Sequence, residues 1–185
     1  MAYGVLIESS IQAKDIDALN RFAVSSTTAV AGGGLVALTA PTTQGEDRWT
    51  ATVPATGALT GLYMAYNPSG KYTVVNGKYF AGLSADPRDY TNVQSKSFTV
   101  FKPKVGDEIV ITVDAVESAS QSAVVAGDFL EAKNAQTTLT RVASATGATA
   151  NTTSFRVEWV GSLAFPQGAI GNSYVKAFKA VCVQE

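Results

Sequence analysis

The side chains able to do chemistry in this chain of 185 residues are 15 carboxylates, 14 lysines and arginines, seven tyrosines and one cysteine, beside many hydroxyl residues; histidine is absent. That absence removes the usual base at neutral pH, the commonest zinc ligand and the imidazole at the centre of a hydrolase triad. Acid–base catalysis would fall to carboxylates, lysines or tyrosines with displaced pKa values. A glycosidase needs only a pair of carboxyl groups about 5–9.5 Å apart, and Asp86/Asp89, Asp107/Glu108 and Asp114/Glu117 are close in sequence. Asp107 and Glu108 lead into a strand pattern and would point to opposite faces, while Asp86 and Asp89 flank Pro87-Arg88 in turn-forming sequence. Solvated turn roles are favoured over catalysis.

Asp114 and Glu117 offer oxygen ligands, but not the several closely spaced ones around a glycine turn that a Ca²⁺ site uses. Ala31-Gly32-Gly33-Gly34-Leu35 lacks the lysine and helix of a phosphate loop and reads as a tight turn. Cys182 has no partner for a disulfide and sits in the apolar run Ala180-Val181-Cys182-Val183, as an inert buried thiol does. The expectation is a protein with no catalytic residue, no metal and no cofactor. A net charge of −1, with basic residues scattered singly, gives no field for a polyphosphate backbone, so nucleic acid is not an expected partner. No stretch approaches the ~18 apolar residues of a membrane span and no secretion signal leads the chain, so no membrane partner is expected.

The elements that must position any site read as β-strands. Val, Thr, Tyr, Phe and Ala dominate, alternate, and are broken by Gly, Pro, Asn and Ser clusters. Asn76-Gly77 predicts a type I′ hairpin pairing Val74 with Tyr79 and Thr73 with Phe80. Period-2 alternation puts Ile109, Ile111 and Val113 on one face, and likewise Phe155, Val157 and Trp159. Asp15–Ala23 has helical spacing, and Ala115–Val125 reads equally as a short helix or a loop. The fold class is therefore all-β, a mainly antiparallel sandwich or barrel with one or two short helices. Pro103 and Gly106 mark a soft boundary between β-rich parts over 1–103 and 104–185, which also fit one domain.

Aromatics offer the binding argument, as stacking platforms for sugars or anchors for proteins: Trp49, Tyr63, Tyr66, Tyr72, Tyr79 and Tyr90. Alternation buries Tyr66 with Leu62 and Met64 and makes Tyr63 and Tyr90 better surface candidates than Tyr66 or Trp159. Phe80–Asn92 packs apolar, turn and opposite-charge residues outside strand periodicity. Asp86 and Asp89 around Arg88 either brace this loop or present Arg88 and Tyr90 to a protein partner.

Four segments, Lys14–Asn20, Gly82–Asn92, Phe101–Asp107 and Phe178–Val183, resemble the small β-rich virion proteins that decorate or cement the heads of tailed bacteriophages. The resemblance implies a non-enzymatic, oligomeric protein on the capsid surface of the virion, made in the host cytoplasm and bound to the major capsid protein. On that reading the strand Tyr3-Gly4-Val5-Leu6-Ile7 adds to a neighbour's sheet edge or closes its own sheet. The candidate protein-binding residues are Tyr3, Val5, Leu6, Ile7, Arg88 and Tyr90. A phage tail-tube protein and a carbohydrate-binding surface module are the alternatives.

Overall fold

The computed structural model describes residues 2–8, 11, 20–42, 47–75, 78–82, 84, 86–166 and 172–185. Period-2 sequence becomes strand throughout. A small closed barrel is built from β1 (Asn20–Val24), β2 (Leu35–Pro41), β3 (Arg48–Thr52), β4 (Tyr63–Ala65) and β7 (Ser97–Phe101), in the order β1-β3-β2-β4-β7. Its β1–β3 pair is parallel and its other pairs are antiparallel. Between β4 and β7 the hairpin β5 (Tyr72–Val75) and β6 (Lys78–Ala81) stands apart, with Val74 opposite Tyr79 and Thr73 opposite Phe80, the expected register. Asn76-Gly77 itself lies outside the described residues.

A second, antiparallel sheet has the order β10-β9-β11-β12-β8, from β8 (Glu108–Thr112), β9 (Phe129–Glu131), β10 (Thr140–Val142), β11 (Ser154–Pro166) and β12 (Asn172–Gln184). β12 thus runs between β8 and β11. The Lys102–Asp107 turn separates barrel from sheet, but the main core does not divide there. It joins Leu35, Leu62, Met64 and Phe101 to Ile109, Ile111, Leu130, Phe155 and Phe178.

Helical structure among the described residues is limited to short 3-10 turns, such as those at Pro87–Asp89 and Val113–Ala115. Asn20–Ala23 is strand rather than helix, because both of its edges find partners in β3 and β7 and tertiary pairing overrides local spacing. Asp15–Leu19 lies outside the described residues. Within Ala115–Val125 the chain runs through turns, closed by carbonyl acceptors at Glu117 and Ser120. Alternation fails at Trp159. A β-bulge between Val157 and Trp159 inserts a residue, so Phe155 and Val157 enter the core while Trp159 turns outward, 44% exposed.

The N-terminal segment closes its own sheet. Leu6 bridges Ile111, the Ile7 amide donates to the Val110 carbonyl at 2.8 Å, and Val5 exchanges bonds with Thr112. Asn67 clamps it from the barrel side. Its Oδ1 accepts from the Leu6 amide at 2.9 Å and its Nδ2 donates to the Leu6 carbonyl at 2.5 Å.

Candidate functional site

The far half of the β11–β12 hairpin gathers Tyr3, Val5, Ile7 and Arg88 of the sequence-predicted residues, while Leu6 belongs to the main core and Tyr90 packs beside Gly82. Its register puts Leu163/Val175 and Phe165/Ser173 on one face, Ser162/Lys176 and Ala164/Tyr174 on the other. The first face is covered. Val5, Phe165 and Val175 form a small core with Ile7, Val113 and Leu163 packed against it. Arg88 locks this arrangement from the side. Its Nε donates to both Asp86 oxygens at 3.0 and 3.1 Å, and its Nη2 to Asp86 Oδ2 at 2.5 Å and Ser173 Oγ at 2.8 Å. Its guanidinium lies 5.6 Å from the Phe165 ring centroid, and its carbonyl accepts from the Tyr3 amide at 2.8 Å.

Asp86 also accepts from the Arg88 amide at 2.9 Å, capping the 3-10 turn that aims the guanidinium. Burial alone would raise the Asp86 carboxyl, but the hydrogen bonds and charge of Arg88 outweigh it and hold the pKa below the usual value. Asp114 is shifted the other way. Burial raises its pKa against a partial offset from Arg88, and its Oδ2 is buried with no hydrogen-bond partner.

The six predicted contact residues therefore brace more than they present. Val5 and Leu6 are buried, Tyr3, Ile7 and Arg88 half-buried. Tyr90, expected at the surface, is buried at 2% exposure. Its ring occupies the space beside Gly82, where a Cβ would stand 2.1 Å from Cε1, and its hydroxyl donates to the Ser84 carbonyl at 2.9 Å. Tyr66 is half-buried beside Phe101, and Tyr63 half-buried in β4.

On the second face Ser162, Ala164 and Tyr174 are exposed. Tyr174 is 78% exposed. β9 pairs β11 only through Ser154–Arg156, and the 127–128 turn bonds Val157. From Glu158 to Phe165 the outer edge of β11 has no partner strand among the described residues. Ser173-Tyr174-Val175-Lys176 has the spacing of a catalytic Ser/Lys pair, but strand alternation sets the two on opposite faces. The Lys176 ammonium instead donates to the carbonyls of Gln121, Ser122 and Val124.

A separate feature lies on the outer face of the second sheet. The register aligns Trp159, Lys179 and Val110 in one row and Arg156, Val181 and Glu108 in the next. Trp159 lies along the strand over Gly161, where a Cβ would sit 1.8 Å from Cζ2. Lys179 Nζ meets Glu108 at 2.8 Å and Glu158 at 3.8 Å, and Arg156 meets Glu158 at 3.7 Å.

Other buried or half-buried carboxylates also make structural bonds. Asp128 accepts from the Val125 and Ser144 amides and from Arg141 Nε at 2.6 Å; these bonds outweigh burial and lower its pKa. Glu117 is lowered chiefly by the hydrogen bond from Lys133, then by Thr140. Asp107 caps its own turn by accepting from the Lys104 amide, while Glu108 faces Lys179. Each of these carboxylates is held in a structural bond. Burial pushes the Cys182 thiol up to about 12.

No protein family matches this chain, and no curated protein or solved structure does. Among the described residues no helix is long and apolar enough to cross a membrane. Sequence reasoning missed Tyr174 and Trp159 as surface aromatics. The equal apolar runs flanking Pro166–Gly171 carried a signal for one long hairpin, and hence for Tyr174; the bulge that turns Trp159 outward had none.

Proposed function

We propose that the chain is a non-enzymatic virion structural protein that binds the major capsid protein on the outside of a bacteriophage head and stabilises the lattice as an oligomer. The observation that carries this reading is the braced hairpin, whose β11 edge has no partner strand among the described residues, with its exposed Tyr174. An open edge takes up a partner's extended segment through main-chain bonds, and alternate side chains supply selectivity. Natural sheets blunt such edges with lysine, proline or short length; Val160-Gly161-Ser162-Leu163-Ala164-Phe165 carries no charge. Repeated copies on a lattice raise effective concentration, so a modest contact per copy suffices. The resemblance to head-decoration proteins supplies the identity of that lattice.

Co-sedimentation with decoration-free capsids tests the reading, paired with the light-scattering mass of the free protein. The expected result is saturation at lattice-scale copy number, with binding lost in Ser162→Lys, which puts a charge beside the open edge. Absence of capsid binding overturns it, and a six-membered ring in free solution would favour the tail-tube alternative.

A further inference from the structure

We propose that the Trp159 patch, on the outer face of the sheet, is a binding site for a neutral sugar ring. Three observations converge on that ligand. The indole lies flat because Gly161 leaves the space beneath it, so one face rests on the sheet and the other meets solvent. A flat, half-exposed aromatic with polar neighbours suits the C–H face of a pyranose, which is apolar across the ring and hydroxylated round its rim.

The rim chemistry fits the same shape. Arg156 and Lys179 alternate with Glu108 and Glu158 in a chain of ion pairs beside Trp159, with Lys179 directly across from it, so donors and acceptors flank the patch while their charges cancel. Such a rim has no net charge with which to recruit a phosphate, a nucleic acid or a charged peptide. Size argues against a protein partner: the exposed indole offers roughly 100 Å², against about 800 Å² per partner in a standard protein interface. One hexose covers an area of that order.

The test is a fluorescence titration of the Trp49→Phe protein, in which Trp159 is the remaining tryptophan, with cellotetraose, chitotetraose and a galactose tetramer, and dextran sulfate as the charged comparison. At least one neutral tetrasaccharide should shift Trp159 emission saturably. Gly161→Ala, which keeps the indole but lifts it off the sheet, should weaken that response about tenfold or more, with thermal melting unchanged. The proposal falls if no neutral saccharide titrates, if dextran sulfate alone does, or if calorimetric binding of the sugar survives Trp159→Ala. Loss of capsid binding in Trp159→Ala without any sugar response would make the patch a protein contact and equally overturn it.

Discussion

Arg88 is the most heavily hydrogen-bonded cation near the hairpin, and its partner Asp86 is more deeply buried than it is. Truncation to Arg88→Ala leaves an unpaired buried carboxylate, and breaking such a pair costs about 3–5 kcal/mol; chemical denaturation should show a loss near the low end, since Arg88 keeps some solvent contact. Asp86→Asn with Arg88→Met should recover most of it. Asp114 behaves oppositely, because its folded pKa lies above the unfolded one. Through that window the fold holds a proton the unfolded chain has released, so stability falls as pH rises. Asp114→Asn should raise the melting temperature at pH 7, with the gain shrinking below about pH 4. Asp86, Glu117 and Asp128 have depressed folded pKa values. Their stabilisation is full above the unfolded carboxylate pKa and lost as pH falls through the folded values, so the Asp114→Asn protein should itself melt earlier as acid is added.

At the scale of elements, the N-terminal segment is held by close approach as well as by hydrogen bonds. A Cβ on Gly4 would stand 2.7 Å from the Ala115 Cα, a backbone atom that cannot swing away. Gly4→Ala should cost about 1–3 kcal/mol through overpacking and deprotect the Val5, Ile7 and Thr112 amides in hydrogen exchange before the rest of the sheet. The strands and the β5–β6 register were readable because period 2 and Asn-Gly chemistry are local signals. The Asp15–Ala23 helix failed over Asn20–Ala23 because pairing with β3 and β7 is made by residues distant in sequence. For the Phe80–Asn92 loop the sequence left bracing and presentation both open, and Arg88 and Tyr90 are found in bracing bonds. Which of its residues face outward depends on the β11–β12 hairpin, whose Ser173 lies 85 residues from Arg88, and no local pattern encodes that.

For the whole molecule, the core joins barrel and sheet without a break at the Lys102–Asp107 turn. Thermal unfolding should be a single calorimetric transition whose van't Hoff and calorimetric enthalpies agree, and separate fragments 1–103 and 104–185 should each remain unfolded. Independent melting of the fragments would show two domains. The place of β12 between β8 and β11 also has a consequence during synthesis. The strand that joins its two neighbours leaves the ribosome after both of them. At roughly 5–20 residues per second, β8 waits on the order of 4–14 s for it, with Val5–Ile7 free to cover only one side. The nascent chain therefore needs a period of protection from its own neighbours on the polysome. Products of early termination before Asn172 would emerge with unsatisfied strands and be drawn to aggregation or proteolysis rather than to a native-like shape that competes with the full-length protein.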